Sequence, residues 1–432
     1  MVKGLLSRLS RRHFPYDPLI NVEISASRLI NNLNEFKKLV SSGMVAPVLK
    51  SNAYGHGLVG IAQILERENK KRSTRNKPYI PFFVVDSFFE AAALRSQGIK
   101  THILIIGYTR PETIIKTKGW NTAFTVTNIS TLRELCKSAE PTWSSNGGKI
   151  GFGQTKFYLP FISSKNNHLI HLKIDTGMHR QGISPTEIPE AIELIKRTPS
   201  LVLEGICSHM GDADNIDETF TESQINVWND LVKQFRMTFP SIKYYHFSNT
   251  SGHRFSHEID ANVSRLGIGL YGLFGDENIS ENLNIKPVLS MKTIITGVKS
   301  LKQGGHVGYS KTFMAAKDMT IATIPIGYYE GLDRRLSNKG SVLVKVNSKS
   351  ILCPIIGRIS MNISVIDISA VSYDFTLHHG VLSEVQPGCE VTVISNNPTD
   401  PNSISSFAKV CDTISYDIVC KIPAHLRRIV VE

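Results

Sequence analysis

Between about residues 20 and 265 the chain alternates short apolar runs with stretches whose apolar residues recur at helical spacing. The runs are APVLK (46–50), IPFFVV (80–85), HILII (102–106), TAFTV (122–126), HLIHLKI (168–174), LVLEGI (201–206), KYYHF (243–247) and the short NVS (262–264). Most are rich in β-branched or aromatic residues, which suit a pleated, buried surface. Between them, SASRLINNLNEFKKLV sets Leu29, Leu33, Phe36 and Val40 on one face, with Ser25 or Ser27 as cap. PTEIPEAIELIKR and TESQINVWNDLVKQF read the same way. Eight strands alternating with helices predict an α/β fold, a TIM-type (β/α)8 barrel spanning residues 20–285. Functional side chains of such a barrel gather at the C-terminal ends of its strands, where Lys50, Lys173, His209 and Asn249 fall.

Two polar segments, 66–79 and 139–167, fit this alternation poorly and read as loop insertions. The second contains GGKIGFG, but no helix follows it, so it is rejected as a nucleotide site. From residue 286 to 432 the texture changes to short alternating strands: SMKTIITGVKSL, MTIATIPIGY, GSVLVKV, SILCPIIGRISMNISVIDIS and CEVTVIS. A separate, mainly β C-terminal domain is expected there, with a helical pattern returning at SISSFAKVC.

A chain of 432 residues has room for two such domains. No apolar run approaches the roughly 18 residues needed to span a bilayer, so no membrane partner is expected. Residues 1–19 are basic and lack the apolar core of a secretory signal. They read as a frayed tail, with an organelle-targeting peptide as the alternative. The six cysteines (136, 207, 353, 389, 411, 420) form no CxxC pair and no ligand spacing with histidine, so no metal is expected and reduced thiols suit a cytoplasmic protein. The net charge of +12 comes largely from the tail and from ERENKKRSTRNK, which has no interleaved aromatics, so nucleic acid is not an expected partner.

The chemistry starts at Lys50, which ends an apolar run and is followed by polar and glycine residues in VLKSNAYGHG. Burial disfavours the charge of a lysine, and a neutral amine is the nucleophile that Schiff-base chemistry needs. VLKSNAYGHG resembles the cofactor-lysine motif of alanine racemases, pyridoxal 5'-phosphate enzymes of fold type III. Further segments resemble that family in order: HLKIDTGMHRQG (171–182), SHMGDAD (208–214), HFSNTSG (246–252) and SRLGIGLYG (264–272). GHVGYSKTF (305–313), IPIGYYEGLDRRLSNKG (324–340), PIIGRISMNISVID (354–367) and ISYDIVC (414–420) continue the likeness through the second domain.

The resemblance implies that Lys50 carries pyridoxal 5'-phosphate. It implies that Tyr54, Asn249, Thr250, Gly267, Ile268 and Tyr416 bind the cofactor, chiefly its phosphate, a group that suits hydroxyls and backbone amides. Arg265 matches the arginine that meets the pyridine nitrogen; because an arginine keeps its proton, that nitrogen stays unprotonated, which favours proton exchange over decarboxylation. Lys50 and Tyr309 are implied as bases on opposite faces of the substrate. An ordinary tyrosine, with a pKa of about 10, is a poor base at neutral pH, and His209 with Arg265 matches the relay that assists it. Tyr309 is implied to reach the barrel of a second subunit, so a homodimer with shared sites is expected. Arg180 and the backbone amide of Met361 match groups that meet the substrate carboxylate. Tyr328, Asp214, Arg334 and Arg358 match the substrate entrance. Lys173 matches a lysine that many members carbamylate.

The activity implied is interconversion of L-alanine and D-alanine, supplying D-alanine for cell-wall peptidoglycan. A broader or serine-type racemase, and a non-catalytic pyridoxal-phosphate carrier, are the alternatives. Departures from the family pattern cluster near the expected carboxylate pocket: His179 for a small residue, Tyr329 and Glu330 for a small residue and aspartate, Ser360 and Asn362 for cysteine and aspartate.

Overall fold

The structure is a computed structural model describing residues 17–40, 44–74, 78–117, 119–139, 167–274, 283–372 and 385–432. The chain divides into two compact units, residues 27–285 and residues 286–432 joined by the segment ending at Ala26.

In the first unit, six parallel strands run in chain order: β3 (Phe83–Val85), β4 (Ile103–Ile105), β5 (Thr122–Val126), β6 (His168–Lys173), β7 (Leu201–Cys207) and β8 (Tyr244–His246). A parallel pair, β2 (Val45–Pro47) with β9 (Ser264–Leu266), completes the ring. Isolated bridges Val48↔Val84 and His246↔Val263 join that pair to the six on either side. Parallel strands need crossovers. Helices such as Ala26–Leu39, Leu58–Arg72, Ile188–Arg197 and Thr219–Thr238 supply them and bury one face each. The expected barrel is therefore present, with its last strand two residues later than NVS suggests.

The segment expected as a loop insertion at 66–79 differs. Its first part continues the helix Leu58–Arg72, which buries Leu65 and Asn69. Glu66, Glu68, Lys70 and Arg72 are good helix formers, and Glu68 pairs with Arg72 one turn on. The polar texture marks a solvent-facing surface rather than a break. Most of the other expected insertion, including GGKIGFG, and residues 1–16 of the tail lie outside the described residues.

The second unit is a nine-stranded sheet. Strands β10 (Leu289–Ile294), β11 (Gly297–Leu301), β14 (Met319–Ile324), β15 (Ser341–Val346), β16 (Lys349–Ile356), β17 (Ser364–Asp367), β18 (Glu390–Ile394) and β19 (Arg428–Val431) are joined by β1 (Asn21–Ser25). The order is β11-β14-β17-β16-β15-β18-β10-β1-β19. Thus residues 21–25, which the sequence groups with the barrel, hydrogen-bond into the other unit, antiparallel to β10 and parallel to β19. NVEIS carries only two apolar side chains, and both are buried there. A two-residue ladder, β12 (His306–Val307) with β13 (Phe313–Met314), forms a separate hairpin.

Polar residues inside the barrel are held in fixed protonation states. His253 is fully enclosed, its ring edge-on to Phe36 at 4.6 Å. Nδ1 donates to the carbonyls of Asn249 (2.7 Å) and Thr250 (3.1 Å), and Nε2 accepts from the Ser264 hydroxyl (3.1 Å). Burial pushes its pKa down to about 4, against the pull of the two backbone bonds. The unfolded chain therefore binds a proton here between about pH 6.5 and pH 4 that the folded chain refuses. The stabilisation is complete above about pH 6.5 and lost progressively as pH falls towards 4, a total of about 3 kcal/mol. Denaturant melts across this range should show a shallower acid decline for His253→Asn than for the wild type.

Candidate functional site

Lys50 lies three residues past the end of β2. Val48 donates to Leu266 O and Leu49 to Val84 O, so the backbone is in ladder geometry up to Leu49. It then enters a left-handed turn: Ser51, Asn52, Ala53 and Tyr54 have φ of 56°, 56°, 53° and 51°. Left-handed backbone costs about 1–2 kcal/mol per L-residue, so the turn needs outside support. Asn52 Oδ1 accepts from Leu58 N (2.9 Å), and Glu90 Oε1 accepts from Asn52 N (3.2 Å). The other Glu90 oxygen takes the amide of Asp86 at 2.8 Å. His56 Nδ1 meets the Tyr54 carbonyl at 2.8 Å, and its ring stacks on Tyr271. The Lys50 amine has no partner among the described residues.

Tyr54, at the end of this turn, reaches β9. A Cβ on Gly267 would stand 3.0 Å from Tyr54 Oη and 3.7 Å from Thr250 Oγ1. Two hydroxyls and the glycine backbone thus enclose a small cradle. The amides of Gly267 and Ile268 have no partner among the described residues, whereas that of Gly269 is taken by Thr250 Oγ1 at 3.3 Å. Donors with nothing to donate to, walled by hydroxyls, fit a phosphate.

Arg265, also on β9, is 7% exposed. Its Nη1 donates to His246 Nδ1 and His246 O, both at 2.7 Å. Its Nη2 donates to Ser208 O (2.7 Å), Phe247 O (2.9 Å) and His209 Nδ1 (3.2 Å). The Nε–H has no partner among the described residues, which leaves a donor open to a ring nitrogen. Because Arg265 donates to His209 Nδ1, the His209 proton belongs on Nε2. Burial, then the charges of Arg265, Lys173, Arg180 and Lys50, hold His209 well below the ordinary histidine range.

Lys173 closes β6, and its Nζ reaches Gln181 Oε1 at 3.3 Å. Burial lowers its pKa; Arg265, Arg180 and Lys50 lower it further, and Cys207 opposes them. Arg180 is exposed and unpartnered among the described residues. His179 before it has φ 54°, which explains why a small residue is expected there; Asp175 Oδ1 accepts its amide at 3.1 Å. Asn249 Oδ1 accepts the Gly252 amide at 2.9 Å, turning the chain after β8.

The barrel therefore brings together Lys50, Tyr54, Lys173, Arg180, His209, Asn249, Thr250, Arg265, Gly267 and Ile268. Tyr309, Tyr328, Met361, Arg334, Arg358 and Tyr416 belong to the other unit. There Tyr309, Tyr328, Arg334 and Met361 line a cavity of about 660 Å³ with Asp333, Ser360 and Lys421. Tyr309 stands at the tip of the β12–β13 hairpin, 64% exposed, between Gly308 and Ser310, both with positive φ. The Met361 amide has no partner among the described residues. A Cβ on Gly327 would meet the Ser360 and Met361 carbonyls at 2.2 and 2.3 Å, so only glycine lets these backbones approach. Two departures from the family pattern pair with each other: Asn362 donates to Glu330 Oε1 at 2.6 Å, while Oε2 accepts from Gly327 N. Arg358 is exposed and Tyr416, on the helix Ser415–Cys420, is half-buried. His246 and Ser208, which hold Arg265, lie inside quoted motifs but carry no marker of that role in the sequence. Among the described residues no helix is long and apolar enough to cross a membrane, and no His, Cys, Asp and Glu group could hold a metal ion.

Comparison with known proteins agrees over nearly the whole chain. Residues 24–274 match the family "Alanine racemase, N-terminal domain" and residues 288–430 match "Alanine racemase, C-terminal domain". An alanine racemase of Methanococcus maripaludis is 31% identical over 410 residues, covering 94% of this chain and 97% of that protein. One from Carboxydothermus hydrogenoformans is also 31% identical, covering 95% and 98%. Among solved structures, the alanine racemase of Clostridium difficile 630 superposes with a TM-score of 0.78 at 25% identity, covering 96% of each chain. That of Bacillus anthracis with bound L-Ala-P gives 0.77 at 25%, covering 97% of this chain and 96% of that one. With a barrel, a strand-rich second unit and matches spanning both, the chain belongs to the alanine racemase family of enzymes.

Proposed function

We propose that the protein interconverts L- and D-alanine with pyridoxal 5'-phosphate, using Lys50 and Tyr309 as the two bases. One observation carries the reading: the unpartnered amine of Lys50 shares a barrel mouth with Arg265, Arg180 and Lys173 around a neutral His209. Such a mouth attracts a phosphate and a carboxylate. Tyr54, Asn249, Thr250 and the amides of Gly267 and Ile268 hold the phosphate, with Tyr416 as a further ligand, and Arg265 Nε–H meets the ring nitrogen. Bound there, the cofactor supplies an electron sink that acidifies the α-hydrogen of an amino acid.

Lys50 Nζ takes or returns the proton on one face, and Tyr309 Oη does so on the other. His209 Nε2–H is a donor suited to a phenolate, and Arg265 behind it keeps that proton in place. Tyr309, exposed at a hairpin tip, is available to a second copy of the chain, as a homodimer with shared sites requires. Arg180 and the Met361 amide orient the substrate carboxylate, and Tyr328 narrows the approach. The lowered pKa of Lys173 favours its neutral amine, which can add to carbon dioxide with loss of a proton. The resulting carbamate anion would orient Arg180. D-alanine made this way supplies peptidoglycan in a walled bacterium.

In an L-alanine racemisation assay with added cofactor, Lys50→Ala and Tyr309→Phe should each lose about 10²–10⁴-fold in turnover, the usual size of a general-base contribution. Full activity in either variant rules out the two-base reading. If sites are shared, mixing the two variants restores about a quarter of wild-type activity under random pairing, since a mixed dimer holds one intact site. Intact-protein mass should show an acid-labile gain on the wild type that Lys173→Ala lacks. A gain absent from the wild type, with unimpaired Lys173→Ala, removes the carbamate.

A second reading concerns substrate range. The Glu330–Asn362 pair and Tyr329, stacked on His425 at 5.1 Å, reshape the wall beside Met361. Turnover of L-serine or larger amino acids above that of L-alanine would favour a broader racemase.

A further inference from the structure

Beneath the proposed site a chain of polar side chains runs through the barrel interior, and none of the steps above uses it. Arg265 Nη1 lies 2.7 Å from His246 Nδ1, and His246 Nε2 lies 2.7 Å from His171 Nδ1. His171 Nε2 is 3.5 Å from Glu204 Oε2, and the same oxygen is 2.8 Å from His102 Nε2. His102 Nδ1 faces the Asn121 carbonyl at 2.8 Å, so both of its nitrogens face acceptors. Lys243 Nζ approaches the other Glu204 oxygen at 3.5 Å. His171 and His246 are fully buried and Glu204 is 5% exposed. Phe82 packs against the rings of His102, His171 and His246. A Cβ on Gly205 would stand 2.7 Å from His171 Nδ1 and Cε1, so that ring sits where only a glycine leaves room.

The protons on this chain have one consistent arrangement. Arginine keeps its protons, so His246 Nδ1 must accept and the His246 proton sits on Nε2. That N–H points at His171 Nδ1, which must accept in turn, leaving the His171 proton on Nε2. Among the described residues the group nearest that N–H is the Glu204 carboxylate, whose 3.5 Å separation is a charge contact rather than a formed hydrogen bond. A proton added to either histidine would set two N–H groups against each other in a dry interior. Burial holds both rings below the ordinary histidine range, and the Glu204 carboxyl is held well below the carboxylate range by His102 and His171 against its own desolvation.

We propose that Glu204 is a positioning residue: through one fixed tautomer of His171 and His246 it sets the orientation of Arg265, and His102 anchors it from the far side. Its effect on catalysis rests on the reading that Arg265 meets the cofactor ring; the tautomers do not. Glu204→Gln keeps a polar oxygen facing His171 Nε2, whereas Glu204→Leu removes it.

A neutron structure of the full-length wild type should show deuterium on Nε2 and none on Nδ1 of both His171 and His246. Deuterium on Nδ1 of either ring overturns the proposal, and this arm needs neither a variant nor bound cofactor. In the cofactor-loaded enzyme, Glu204→Leu should lower kcat about ten-fold, a usual cost for a group acting through another. KM should change little, and the absorption band of the bound cofactor should shift. Glu204→Gln should retain most of kcat and the wild-type band. A Glu204→Leu enzyme with lower thermal stability but wild-type kcat and band shows Glu204 to be merely structural and overturns the proposal. If the protein binds no pyridoxal phosphate, the function reading falls while the neutron result still decides the tautomers.

Discussion

Closure of the barrel by β2 against β9 is the contact on which the site depends. Val45, Ala46 and Pro47 pair in parallel with Ser264, Arg265 and Leu266, so the first and last strands of the ring end side by side. Lys50 leaves one strand beside Arg265 on the other and Gly267 just past its end. Without that ladder the amine, the guanidinium and the cradle would belong to opposite ends of a long segment. Arg265 then has to be buried as a cation, because it cannot shed its proton. Backbone carbonyls of Ser208, His246 and Phe247 absorb the cost, together with two histidines. The electrostatics of the barrel mouth follow from one arginine placed by one strand pair.

Strain is concentrated beside the same pair. Four consecutive left-handed residues after Lys50 are sustained by Asn52, Glu90 and His56, side chains that reach back to the backbone. Sparsely populated backbone persists only where its surroundings over-determine it. Here those surroundings are a capped helix, Phe88–Ser96, and the stacked rings of His56 and Tyr271. The turn swings Tyr54 towards Gly267 within four residues of Lys50, which a right-handed helical start would not do.

Much of this was legible in the sequence, and the reasons for the rest are local. Eight apolar runs announced eight strands because barrel strands are buried on both faces. Lys50, Lys173, His209 and Asn249 stand out because they fall at strand ends, and Arg265 because its segment resembles the family's. The second half of helix Leu58–Arg72 looks like a loop in the sequence because it is rich in Lys, Arg and Glu and buries only Asn69 beyond Leu65. Strand β1 was misgrouped because five residues hold no record of which sheet they join. His171 in HLIHLKI, Glu204 in LVLEGI and His246 in KYYHF interrupt apolar runs singly, and each alone reads as an edge polarity. Only the closed ring, which aims all three inward, reveals them as one chain.

The place of β1 bears on how the polypeptide is made. Val22 and Ile24 emerge from the ribosome early, yet both neighbours of their strand, β10 and β19, are encoded beyond residue 288. At about 5–20 residues per second, β1 waits roughly 20–80 seconds for Arg428–Val431. Its edge towards β10 stays open until Leu289–Ile294 emerge, and its edge towards β19 stays open throughout that interval. The barrel can condense as its strands appear, whereas this edge of the sheet is closed only once Arg428–Val431 emerge. A nascent chain of this architecture exposes a sticky ribbon until those distant partners emerge. That is a window for chaperone engagement, and for mispairing between neighbours on a polysome.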